Sequence, residues 1–145
     1  MKRPLTITID QALADPVLLG AALGDGATWS TWRAVLKAAF AITLSDDEAK
    51  LFAAVAGDRA PPSKRVRELW AVVGRRGGKS RVAALIACYL SLFVRYKLAP
   101  GELGMVLLLS ASMAQSKVVF GYALGFLQAS PVLRKEIVEA TQSEI

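Results

Sequence analysis

Histidine is absent from this sequence and cysteine occurs once, at Cys88. A lone thiol excludes an internal disulfide, and without histidine it leaves no ligand set for a zinc cluster. Such usage fits a reducing cytoplasm. Cys88 lies among Ala, Leu and Ile, which marks a packed core thiol rather than a reactive one. Also missing is any apolar stretch of the roughly 20 residues that span a bilayer. The longest, Val82 to Val94, is bracketed by Arg81 and Arg95 and reads as a buried helix. The opening residues, MKRPLTITIDQALADP, include Asp10 and Asp15 and no apolar block of signal-peptide length, so neither export nor membrane association is expected. Internal repeats and low-complexity segments are lacking as well.

What is present is a globular composition. With 145 residues, 54% of them hydrophobic, the chain can bury one sizeable core, which implies a single domain or part of one. A net charge of +6 and a pI near 9.8 suit a polyanionic partner such as nucleic acid or nucleotide phosphates, although an ordinary basic surface gives the same totals. The charge is unevenly spread. Between Lys64 and Lys97 nine basic residues stand against one acid, Glu68.

Local patterns divide the chain at about residue 60. Thr alternates with apolar residues at Leu5 to Ile9, suggesting a short extended piece. Asp15 can cap a helix running from Pro16 to about Leu23, where Gly24-Asp25-Gly26 turns the chain. A second helix is expected from Thr28 to Ile42. In it Trp29, Trp32, Val35, Leu36, Ala39 and Phe40 recur at three- and four-residue spacing; this reads as a packing face, with base stacking the weaker reading. Ser45 and Glu48 form a capping box that opens a helix to Ala56, closed by Gly57. The acidic pair Asp46-Asp47 belongs to that first turn, where acids complement the helix dipole, and not to a magnesium site. The Pro-rich connector Asp58 to Ser63 ends this helical segment, residues 1–60, and residues 61–145 follow as a second part.

That second part reads as strand, glycine-rich turn, helix, strand, helix. A short apolar run from Leu69 ends at Gly74, and polar and glycine residues follow through Ser80. A long helix then runs to about Val94. After the turn Ala99-Pro100-Gly101, the continuous run Gly104 to Leu109 has the character of a buried parallel strand. Helices are expected from Met113 to Gln128 and, capped by Ser130-Pro131, to about Ala140. The order implies a right-handed βαβ unit, hence an α/β fold with a parallel sheet and ligands at the carboxyl ends of the strands.

The loop V-G-R-R-G-G-K-S, from Val73 to Ser80, has the spacing of a phosphate-binding G-x-x-x-x-G-K-[ST] loop with Val73 in place of the first glycine. Each position has a chemical reason. Gly77 and Gly78 allow backbone conformations that turn successive N–H groups toward an anion, assisted by the positive end of the helix that starts near Lys79. Lys79 would reach the β- and γ-phosphates, and Ser80 would coordinate Mg²⁺ bridging the same oxygens. Gly74, Arg75 and Arg76 complete the candidate binding set. One of the two arginines can act as an arginine finger in cis, or Arg76 can simply face solvent or DNA. A fortuitous Gly-Gly-Lys-Ser is the bland alternative.

At these residues the chain resembles the N-terminal ATPase portion of the large terminase subunit of tailed bacteriophages, the motor that packages DNA. The similarity lies in GDGATWSTWRAVLKAAFAITLSDDEAKLF, RVRELWAVVGRRGGKSRVAAL and PGELGMVLLLSASMAQSKVVFGYALGFL. The loop without its first glycine resembles that family's divergent Walker A. Membership implies a P-loop NTPase fold of the ASCE type, here with an incomplete sheet preceded by a helical segment. ATP and Mg²⁺ are implied as cofactors, Arg75 and Lys79 as catalytic residues, and double-stranded DNA, a portal protein and the small terminase subunit as partners. A ring-shaped motor in the cytoplasm of an infected host, or one encoded by a prophage, is implied too. The family's acidic Walker B strand and nuclease carboxylates do not follow Leu109, and no adenine-binding glutamine precedes the connector. The expectation is therefore an N-terminal fragment that binds ATP with little turnover. Competing readings are another P-loop DNA enzyme, such as a helicase, or a kinase; from a different class comes a basic nucleic-acid or partner-binding module that uses no nucleotide.

Overall fold

The computed structural model of the chain describes residues 7–24, 26–141 and 144–145. Among them the regular structure is entirely helical: α1 (Ile9–Ala14), α2 (Gly20–Leu23), α3 (Ser30–Ala39), α4 (Asp46–Ala56), α5 (Lys79–Leu92), α6 (Met113–Ala129) and a 3₁₀ turn, Leu133–Glu136. Two compact units share these elements, one made of Met1–Ala22 with Gly78–Ile145 and the other of Leu23–Gly77.

The first unit is built on an α5–α6 hairpin. On α5, Val82, Leu85 and Tyr89, with Ala84 and Cys88, follow three- and four-residue spacing and are buried; α6 buries Val119, Ala123 and Leu127, one per turn. The Cys88 thiol points at the Ala123 carbonyl oxygen, 3.6 Å away. Ile9 and Leu13 of α1, Leu19 just ahead of α2 and Ala22 within it add further buried side chains. Arg81 fastens α2 to this hairpin by donating from Nε to the carbonyl oxygen of Ala22, in the last turn of α2, where unpaired carbonyls favour a cation. Its guanidinium also lies over the Phe126 ring, 5.9 Å from the centroid.

Thr8 and Gln11 form a capping box that starts α1 at Ile9, so the expected Pro16–Leu23 helix is replaced by α1, a turn and α2. Asp15 accepts the Val17 N–H at 2.8 Å and tightens that turn instead of opening a long helix. The proposed extended piece at Leu5 lies partly outside the described residues, and its remainder feeds the cap of α1. Ser130 caps a single 3₁₀ turn rather than a helix to Ala140, accepting the Leu133 N–H at 3.0 Å.

The second unit is an α3–α4 hairpin. Ala34, Leu36, Ala38 and Ala39 bury the inner side of α3. Ser45 and Glu48 make the reciprocal capping box read from the sequence, and Gly57 closes α4 in the left-handed conformation, φ 62°. Lys37 on α3 donates to both Glu48 oxygens, at 2.8 and 2.7 Å. That charge-assisted hydrogen bond holds the Glu48 carboxyl below its ordinary pKa.

The parallel sheet is the expectation that fails. No strand forms among the described residues. Residues 67–73 and 103–111, which include both expected strands, make no backbone–backbone hydrogen bond there. Trp70 keeps 88% of its surface exposed and Leu109 keeps 87%. The reason is physical: a strand closes its hydrogen bonds only with a neighbour, whereas a helix closes them within itself. The sequence marked these runs as apolar but supplied no ladder. Nor is any helix among the described residues long and apolar enough to cross a membrane.

Candidate anion-binding loop

The loop from Gly74 to Ser80 consists of a tight turn followed by a helix start. Gly77 N–H donates to the Gly74 carbonyl oxygen at 3.2 Å, closing the turn over Arg75 and Arg76. Arg76 at φ 64° occupies left-handed backbone, uncommon for a side chain of that size. A Cβ on Gly77 would fall 2.3 Å from Val73 Cγ1 and 3.3 Å from the Gly74 carbonyl oxygen, so only glycine fits the turn as it stands. Gly78 follows at φ 79°, ψ 3°, and is the N-cap of α5. An L side chain there costs about 1–2 kcal/mol.

No side chain caps the N-terminus of α5. The N–H groups of Gly78, Lys79 and Ser80 have no backbone acceptor among the described residues; the first bond of the helix is Val82 N–H to Gly78 carbonyl, 3.0 Å. Uncapped N–H groups carry the positive end of the helix dipole, equivalent to roughly half a charge. Arg75, Arg76 and Lys79 are exposed and form no ion pair among the described residues. Arg81, the next basic residue, is committed to the α2 carbonyls and Phe126. The candidate residues thus sort into a backbone set, Gly74, Gly77, Gly78, and a charged set, Arg75, Arg76, Lys79.

Ser80 is half-buried, with no hydrogen-bond partner for its hydroxyl among the described residues. One hydroxyl fits a Mg²⁺ ion held chiefly by phosphate oxygens and water, and does not by itself make a metal site. Among the described residues no group of three or more Cys, Asp or Glu could hold a metal. A cleft of about 320 Å³ near Ile145 is lined by Glu136, Glu139, Glu144, Val138 and Thr141. Its carboxylates would repel a phosphate, so it does not compete with the loop. Burial pushes the Cys88 thiol up to about 12, away from the reactive thiolate form.

One residue of the loop's surroundings escaped the sequence reading. The Trp32 indole N–H donates to the Gly77 carbonyl oxygen at 2.8 Å, across 45 residues of chain. The helical spacing placed Trp32 on a packing face, and nothing in that spacing reveals a polar contact at the ring's edge. Comparison with family models, with curated proteins and with solved structures finds no match for this chain.

Proposed function

We propose that this chain is the nucleotide-binding portion of a DNA-packaging terminase large subunit, gripping ATP by its phosphates at Gly74–Ser80. What carries the reading is the uncapped start of α5, where Gly78, Lys79 and Ser80 offer unpaired N–H groups beside a free ammonium. An anion at such an end gains charge-assisted hydrogen bonds of about 1.5–3 kcal/mol each. Lys79 engages the β- and γ-phosphates, Arg75 stabilises charge developing on transfer, and Arg76 joins it in binding. The Ser80 hydroxyl would supply one ligand to Mg²⁺, which when bound would offset negative charge on the phosphates.

Between Lys64 and Lys97 the single acid is Glu68, which accepts from the Trp70 indole at 3.2 Å. Little turnover by this chain alone is therefore expected, with hydrolysis and movement of double-stranded DNA belonging to a longer protein that also engages a portal and a small subunit in the host cytoplasm. The test is titration with ATP and Mg²⁺. Lys79→Ala should weaken binding about 10- to 100-fold, the equivalent of one lost charge-assisted contact. Equal binding by both proteins overturns the assignment. Salt-sensitive DNA binding indifferent to ATP and to Lys79→Ala would favour a basic nucleic-acid-binding module instead.

A further inference from the structure

We propose that Trp32 is a positioning residue for this loop, fixing the direction in which the Gly78 N–H is presented to a phosphate. The inference rests on the nucleotide-binding reading above. A peptide unit is planar and trans, so the carbonyl of one residue and the N–H of the next point to opposite sides. The Trp32 indole holds the Gly77 carbonyl at 2.8 Å. Holding that oxygen turns the Gly78 N–H the other way, away from the indole and free of any backbone acceptor among the described residues.

The position is one where such help matters. Gly77 and Gly78 have the widest backbone freedom of any residue type, and a two-glycine turn without a restraint samples many orientations of the peptide between them. Gly77 N–H is already tied to Gly74 and the Gly77 carbonyl to Trp32, so both faces of the residue are fixed before any anion arrives. Pre-organisation of this kind removes an ordering cost from binding. Trp32 is half-buried on α3, so its donor comes from a helical backbone rather than from a loop.

The experiment uses the full chain with ATP·Mg²⁺. Trp32→Phe keeps an aromatic ring and removes the donor together with part of the ring system, a packing loss that the stability measurement reads separately. The expected result is a 3- to 10-fold weaker Kd, an unchanged urea-denaturation slope, and a displaced Gly78 amide resonance that exchanges faster with solvent. A purely structural Trp32 would lower stability while leaving the affinity of the folded protein and the Gly78 resonance in place, and that result overturns the proposal. If Trp32→Phe does not fold, the indole N–H resonance of Trp32 in the wild-type chain decides: a shift on saturation with ATP·Mg²⁺ supports the role, and invariance overturns it. The two failures separate cleanly. Wild-type chain that binds no ATP removes the nucleotide reading and this role with it; wild-type chain that binds, loses affinity in Lys79→Ala and keeps it in Trp32→Phe removes the role of Trp32 alone.

Discussion

In α5, Val82, Leu85 and Cys88 are buried among the helices of the first unit, whereas Leu103, Met105, Leu107 and Leu109, drawn from the same range of side chains, face solvent. The two stretches differ little in hydrophobicity and greatly in what their backbones require. A helix satisfies its own N–H and C=O groups and needs only one neighbouring face, which α6 provides after the intervening residues 93–112. A strand must find its hydrogen bonds on another segment, and among the described residues none is in place beside residues 103–111. Each exposed Leu forgoes about 1.5–3 kcal/mol of burial. Apolar content thus states a demand for burial without saying where that demand is met.

Side-chain truncation tests the contrast with the largest effect. Leu85 is fully buried, and Leu85→Ala should lower unfolding free energy by about 2–5 kcal/mol in urea titrations. Leu107→Ala and Leu109→Ala should stay within about 0.5 kcal/mol of wild type. A loss above about 1.5 kcal/mol in either exposed variant would mean that this segment is covered in solution, and the contrast would collapse. Leu107→Lys sharpens it further, since a charge on an open apolar run should raise the concentration at which the protein stays soluble without altering the urea midpoint.

What the sequence revealed follows the same division. The capping box at Ser45–Glu48, the Gly57 stop and the existence of α5 and α6 were legible because they depend on short-range patterns along the chain. The sheet was not, because pairing is a property of two segments and only one pattern can be read at a time. The turn of the chain around Asp15 was also missed: Thr8 and Gln11 outcompeted it as a helix start. In the loop, the spacing of the glycines and Lys79 raised the expectation of an anion cradle, whereas the Trp32 contact joins positions 45 residues apart and left no periodic trace.

Gly77 lies between the other exposed apolar run, residues 69–73, and α5, and a change there is expected to cost less than the core truncation. Val73, the half-buried end of the first apolar segment, stands against the turn, so Gly77→Ala forces its Cβ into Val73 Cγ1 at 2.3 Å. Valine is stiff about χ1 and cannot swing clear, which makes a loss of about 1–3 kcal/mol the expected outcome. Adding Val73→Ala should return a good part of it, a positive coupling read from the double-mutant cycle. Strict additivity would show that Val73 does not touch the turn, and that the exposed segment is unattached to the loop even at its last residue.

The remaining effect is a pH dependence confined to the buried region. The Cys88 thiol is raised from 9.0 to about 12 by burial, so the folded chain keeps its proton while the unfolded chain gives it up. Stability from this source is fully present below about pH 9 and is lost as pH climbs toward 12, at about 1.4 kcal/mol per unit. Lysines and tyrosines titrate over the same range, so the comparison that isolates it is the slope of stability against pH for wild type and for Cys88→Ala; wild type should fall more steeply between pH 9 and 10.5. A thiol reagent at pH 8 adds the matching contrast. Cys88 should react only at the rate of unfolding, whereas a thiol placed by Leu107→Cys in the Cys88→Ala background should react at once, because burial and not composition separates the two positions.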